Sequence, residues 1–176
     1  MTEPFFTDDQ DDDVLELSWE LFGELCRALA VRVARDYDPE VVVGIAAAGV
    51  IPGAVVSAML QKEFHAIKIT RPGDEGGAQR RPEILSAAPP QIAGRRVLLV
   101  DEICDSGDTM RLALAAVCDV GPAEVRTAAS LVREGNYEPD YHALETDATV
   151  VFPWDREVWQ EDRLVVNPEY EDLLGE

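Results

Sequence analysis

Val97-Leu98-Leu99-Val100-Asp101-Glu102-Ile103-Cys104-Asp105-Ser106-Gly107-Asp108-Thr109 is the stretch on which the fold turns. Four consecutive aliphatic residues leave no polar face, the pattern of a strand covered on both sides in a parallel sheet. Two acids follow at once, then a third acid and Ser-Gly-x-Thr. Met110 to Val117 reads as a helix, so the acids and hydroxyls occupy the passage from strand to helix. In open α/β sheets, ligands bind outside the carboxyl ends of the strands, which is where this passage lies. Ser106, Gly107 and Thr109 offer hydroxyls and a pliable backbone whose N–H groups, at a helix N-terminus, cradle a phosphate. Asp101 and Glu102 suit sugar hydroxyls or a magnesium ion. Asp105 stands between these groups, near whatever atom joins such a sugar to its leaving group. The alternative reading of an acid-rich turn is a solvated cap without a ligand, and the fixed offsets of the three acids and Ser-Gly-x-Thr weigh against it.

Outward from this stretch, the same alternation repeats. Val41 to Ala46 is a continuous run rich in β-branched residues, again a strand buried on both faces. Ala47-Ala48-Gly49 follows, and Pro52 falls in the first turn of a helix through Leu60. Phe64 to Thr70 reads as the next strand. Residues 71–94, rich in Gly, Pro and Arg, carry no period, and so long a loop is usually functional or mobile. Beyond the helix, Val125 to Val132 is a strand, Gly135 to Thr146 a loop, and Ala148 to Phe152 a fifth strand. Upstream, Trp19, Phe22, Cys26, Leu29 and Val33 recur at helical spacing, a core-packing stripe with Ser18 as N-cap and Asp38-Pro39 as stop. Strands alternating with helices predict an α/β fold: a doubly wound, mainly parallel sheet with flanking helices. Residues 1–13 form an acidic block expected to stay solvated and disordered. Residues 14–176 are then one domain.

Composition narrows the function. The chain has 176 residues, 47% hydrophobic and 28% charged, an ordinary balance for one globular domain. Asp and Glu number 35 against 15 Lys and Arg, a net charge of -20 that repels nucleic-acid backbones and anionic membranes. No apolar run approaches the ~18–20 residues of a spanning helix, and the acidic N-terminus is the reverse of a signal peptide's. A soluble, cytoplasmic protein is expected. Cys26, Cys104 and Cys118 have no CxxC spacing, and His65 and His142 lie far apart, so buried or semi-buried thiols in a reducing compartment are expected rather than a zinc cluster. Lys62 and Lys68 are the only lysines. With so many acids, this suits either high-salt adaptation or a GC-rich genome.

The stretch from Val97 to Thr109 closely resembles the ribose-phosphate motif of the type I phosphoribosyltransferases: four hydrophobic residues, two acids, two variable residues, then Asp-Thr-Gly-x-Thr, here Asp105-Ser106-Gly107-Asp108-Thr109. The resemblance covers about residues 18–160. Val43 to Gly53 resembles the family's diphosphate loop and the helix after it. Leu131-Val132-Arg133 and Phe152-Pro153-Trp154-Asp155 resemble the base-binding end of the purine salvage branch (xanthine, guanine and hypoxanthine enzymes). The resemblance implies transfer of phosphoribosyl from phosphoribosyl diphosphate (PRPP) to a 6-oxopurine, releasing diphosphate. Asp101 and Glu102 would take the ribose hydroxyls, with Glu102 touching Mg2+. Asp105 would sit by N7 of the purine as general base, or as stabiliser of the developing positive charge. Ser106, Gly107, Asp108 and Thr109 would wrap the 5′-phosphate. Ala47, Ala48, Gly49 and Lys68 would serve the diphosphate, while Arg133, the Val150 backbone and Asp155 would face the base. Residues 71–94 would be a mobile hood whose Arg71, Arg80 and Arg81 reach the diphosphate on closing. The resemblance also implies small-molecule substrates and a homo-oligomer, a dimer.

Three positions depart from the family pattern. Ala47 stands where a basic side chain is usual, Asp108 puts a carboxylate in the phosphate loop, and Thr149 replaces an aromatic ring that would stack on the base. They leave open a second function, a catalytically weak module of this fold that senses PRPP or a nucleotide. A phosphoacceptor of the response-regulator kind would fit the buried strands, but not the Ser-Gly-x-Thr turn.

Overall fold

The computed structural model describes residues 13–70 and 82–175. Residues 1–12 of the acidic tail and 71–81 of the hood segment, with Arg71, Arg80 and Arg81, lie outside the described residues. In chain order the elements are β1 (Val14–Glu16), α1 (Trp19–Asp36), β2 (Val41–Ala46), α2 (Val50–Leu60), β3 (Glu63–Thr70), β4 (Glu83–Ile84), β5 (Arg96–Cys104), α3 (Asp108–Cys118), β6 (Glu124–Val132), β7 (Tyr141–Glu145), β8 (Thr149–Val151), β9 (Glu157–Gln160), β10 (Arg163–Val166) and α4 (Glu171–Leu174). A 3-10 turn spans Pro90–Ile92. The described residues form two compact units, residues 20–70 with 82–146 and residues 13–19 with 147–175.

The larger unit is built on a six-stranded sheet in the order β4-β3-β2-β5-β6-β7. All neighbours are parallel except β3 and β4. The reason is in the composition: every residue of Val41–Ile45 and Val97–Val100 is buried, so these strands must lie mid-sheet under cover on both faces. On one face Val41, Val43, Ile45, Val97 and Leu99 join Met110, Ala113 and Val117 of α3 in a single core. Helix α1 buries Phe22, Cys26, Leu29, Ala30 and Val33. Burial pushes the Cys26 thiol up to about 12, so it stays protonated and inert at neutral pH. From β2 the chain winds through α2 to β3 on one side. From β5 it winds through α3 to β6 on the other. The direction of winding therefore reverses between the neighbours β2 and β5, the topological switch point of such sheets. Among the described residues, no helix is long and apolar enough to cross a membrane.

The structure corrects the sequence reading in five places. Strand β5 runs four residues past Val100, to Cys104, because its ladder with β6 continues through Asp101↔Ala129, Ile103↔Leu131 and Cys104↔Val132. Asp101 and Glu102 thus stand on the strand itself. Tyr141–Glu145, expected as loop, is the edge strand β7. The 148–152 run does not join the central sheet: its core, β8, pairs with β1 in a separate two-stranded sheet. Trp19, counted in the buried stripe, is 55% exposed. Segment 71–94, read as without structure, holds β4 and the 3-10 turn in its described part.

In the smaller unit, β9 and β10 form an antiparallel hairpin. Its turn residues Glu161 and Asp162 both take positive φ (49° and 60°), the handedness that suits a two-residue hairpin turn. Trp154 stacks on Phe152 at 4.6 Å and meets Trp19 at 6.0 Å, which gives it a packing role.

In β6 the Ser130 hydroxyl is fully buried and has no hydrogen-bond partner among the described residues. An unpaired buried hydroxyl costs ~1–3 kcal/mol. Ser130→Ala is therefore expected to stabilise the fold, raising Tm by roughly 2–4 °C for each kcal/mol regained. A lower Tm in thermal denaturation would mean that the hydroxyl does have a partner in solution.

Candidate active site

At the switch point the carboxyl ends of β2 and β5 open into a cleft of about 330 Å³. Its wall from β2 and the loop after it is Ile45, Ala46, Ala47 and Ala48; its wall from β5, the following turn and the start of α3 is Asp101, Glu102, Ile103, Asp105 and Thr109. Ile69 of β3 and Arg133, just past β6, complete the lining. Seven of the residues expected from the sequence thus come together: Ala47, Ala48, Asp101, Glu102, Asp105, Thr109 and Arg133.

Each is placed by a local cause. The Ala46–Ala47 peptide is cis, and the Val50 and Ile51 N–H groups bond back to the Ala47 and Ala48 carbonyls at 3.3 and 3.0 Å, closing a tight loop before α2. Asp101 is only 6% exposed, and its Oδ1 accepts the Glu102 N–H at 3.0 Å. Gly49 lies behind the lining, where a Cβ would sit 2.7 Å from Asp101 Oδ1 and 2.6 Å from the Ile45 carbonyl. Only glycine lets the small-residue loop approach the acid pair so closely. Arg133 enters the cleft from a backbone fixed by its N–H to the Cys104 carbonyl, 3.1 Å.

The turn between β5 and α3 is short. Gly107 takes φ +78°, a left-handed conformation that glycine adopts without strain. Ser106 Oγ accepts the Asp108 N–H at 3.4 Å, across the start of α3. Asp108, whose charge would oppose a bound phosphate, is met by Arg111, which bonds it at 3.4 Å and donates to the Ser106 carbonyl at 2.7 Å. That compensation was readable as an i,i+3 acid–base pair on a helix. Asn136 and Tyr137 were not foreseen: Asn136 donates to Asp105 Oδ1 at 2.9 Å, and the Tyr137 side chain packs on Gly107. Nothing local in the sequence marks this contact, because 31 residues separate its partners.

The remaining expected residues lie elsewhere. Lys68 is exposed on β3, in register with Ala46, and does not line the cleft. Ser106, Gly107 and Asp108 form the turn rather than the lining. Val150 and Asp155 belong to the smaller unit. There the Asp155 carboxylate accepts the Tyr170 hydroxyl at 2.7 Å and the Asn167 side-chain amide at 3.4 Å. Burial first, and then this bond to Asp155, raise the Tyr170 pKa above the usual phenol value, so it remains a donor.

Among the described residues no three metal-ligating side chains gather. The adjacent carboxylates Asp101 and Glu102 instead offer the one or two oxygens with which Mg2+ is usually held when substrate phosphates supply other ligands.

Residues 17–164 match the phosphoribosyl transferase domain family. The chain is 28% identical over 145 residues to the xanthine-guanine phosphoribosyltransferase of Gluconobacter oxydans (strain 621H), covering 79% of this chain and 83% of that one. The crystal structure of a purine phosphoribosyltransferase from Pyrococcus horikoshii Ot3 superimposes with a TM-score of 0.73 at 26% identity, over 86% of this chain and 99% of that one. The fold is shared as well with the Helicobacter pylori xanthine-guanine-hypoxanthine phosphoribosyltransferase, TM-score 0.66 at 18% identity, over 93% and 99% of the two chains.

Proposed function

This chain belongs to the phosphoribosyl transferase domain family and is a phosphoribosyltransferase, and we propose that it transfers the 5-phosphoribosyl group of PRPP to a 6-oxopurine, releasing diphosphate. The observation that carries this reading is the gathering of the small-residue loop, the acid pair, the Asp105–Thr109 turn and Arg133 around one cleft. Each faces one part of the two substrates.

The base attacks the anomeric carbon as the bond to diphosphate breaks, through a state with positive charge spread over the ring oxygen and that carbon. Asp101 and Glu102 hold the ribose hydroxyls and fix the sugar. The turn from Ser106 to Thr109 takes the 5′-phosphate on N–H groups and hydroxyls at the start of α3. Asp105 stands by N7 of the purine and takes its proton or balances the charge developing there. Ala47, Ala48 and Gly49 present backbone to the diphosphate, and Lys68, exposed on β3 in register with Ala46, offers it a cation. Bound Mg2+, with Glu102 beside it, would neutralise charge on the diphosphate. Arg133 is a permanent cation with a planar donor fork, which suits a carbonyl oxygen on the base. A homodimer working in the cytoplasm completes the reading, supported by the family resemblance.

The test is a panel of hypoxanthine, guanine, xanthine, adenine and uracil with PRPP and Mg2+, following nucleotide and diphosphate together. A 6-oxopurine should be preferred over adenine by roughly 10–150-fold in kcat/KM, the equivalent of one charge-assisted hydrogen bond of ~1.5–3 kcal/mol. Preference for adenine, or use of uracil alone, would overturn the role of Arg133. No transfer to any base would overturn the reaction.

A further inference from the structure

We propose that Asn136 is a positioning residue for Asp105, a role that rests on the reading of Asp105 given above. Asn136 lies in the segment that leaves β6, four positions after Val132. That segment is pinned to β5 and its turn at both ends. The Arg133 N–H bonds the Cys104 carbonyl at 3.1 Å, and the Tyr137 N–H bonds the Asp105 carbonyl at 3.4 Å. Between these anchors Asn136 Nδ2 donates to Asp105 Oδ1 at 2.9 Å.

The contact is held from the far side of the turn as well. Gly107 is so close to Tyr137 that a Cβ there would lie 2.3 Å from the ring's Cγ. The Arg111 guanidinium covers the same ring at 4.8 Å, while donating to the Ser106 carbonyl at 2.7 Å. Residues 136 and 137 therefore grip the turn before and after Ser106. Both side chains of the bond are exposed, and what fixes its position is the set of backbone anchors and the ring contact around it.

Its chemical consequence follows from the side chain it touches. The terminal torsion of an aspartate is soft and roughly two-fold, so an unrestrained carboxylate does not present one oxygen in one direction. A donor bonded to Oδ1 fixes the carboxylate plane and leaves Oδ2, which has no partner among the described residues, as the oxygen available for the base. Asn136 is uncharged and achieves this without pairing off the negative charge. A carboxylate oriented before substrate arrives need not reorganise during reaction. Arg133 and Asn136 are also joined directly, since the Asn136 N–H reaches the Arg133 carbonyl at 3.5 Å. The residue proposed to read the base and the one that orients its acid partner thus share one tether.

A double-mutant cycle tests this. Asn136→Ala should lower kcat about tenfold, in line with loss of a hydrogen bond to a charged group, with little change in the KM for PRPP and in Tm. In an Asp105→Asn background the same change should alter kcat less than about twofold, because residues acting through one another are not additive. Asn136→Asp keeps the shape but sets a second carboxylate against Asp105. It should be slower than Asn136→Ala. Equal losses in the two backgrounds, or a harmless Asn136→Asp, would overturn the proposal. So would full activity of Asn136→Ala where Asp105→Asn is slow, and this result would leave the reading of Asp105 standing. Full activity of Asp105→Asn itself would remove both.

Discussion

Asp105→Asn is expected to lower kcat by about 10²–10⁴-fold, the usual loss on removing a general acid–base group, while leaving the fold as it is. Asp105 follows the last residue of β5 and lines the cleft, with neighbours that a carboxamide of equal size does not disturb. What changes is chemistry. The carboxamide oxygen would turn to accept from Asn136, since two amide donors cannot face one another at 2.9 Å. Its own amino group would then face the base. A donor there cannot take a proton from N7 or balance positive charge on the transferred group. The KM for PRPP should move little, because Asp101, Glu102 and the helix start do the holding. Initial rates of nucleotide formation at saturating substrate, with Tm as the control, decide the matter. An unchanged kcat would remove Asp105 from the mechanism.

The parts of this molecule that were legible in its sequence are those whose causes are local. Val41–Ala46 and Val97–Val100 announce strands covered on both faces, and they lie at the centre of the sheet. The acids and Ser-Gly-x-Thr after them sit at the switch point. Local composition misled where pairing decides structure. Strand β5 continues beyond its aliphatic residues because β6 still offers a ladder through Val132. Strand β7 needs few apolar residues, since an edge strand pairs on one side alone. The more hydrophobic run at Thr149–Val151 finds β1 instead. Lys68 is exposed on β3 in register with Ala46 and is not one of the residues that line the cleft. The Asn136 and Tyr137 grip on the turn was invisible for a different reason. It is a contact between two loops brought together by parallel neighbours, and no period or motif encodes it.

Gly49→Ala is expected to damage the site more than its single methyl group suggests. The added Cβ would lie 2.6 Å from the Ile45 carbonyl oxygen, 2.7 Å from Asp101 Oδ1 and 2.9 Å from Asp101 Cα. Two of these atoms belong to backbone in central strands, and the third is on a side chain only 6% exposed that is tied to the Glu102 N–H. None of them yields easily, so the loop from Ala47 to Gly49 must move. A displacement of ~1 Å in a group that positions substrate costs about 10²-fold, and the expected result is a fall of that order in kcat/KM for PRPP. Overpacking should also cost ~1–3 kcal/mol of stability, read as a lower Tm. Gly23→Ala is the control. Gly23 lies within α1 with nothing within 4 Å of its would-be Cβ, and alanine there should stabilise the helix by about 0.5–1 kcal/mol. If Gly49→Ala kept the wild-type kcat/KM while Gly23→Ala behaved as expected, the small-residue loop would not be what holds the diphosphate against the acid pair.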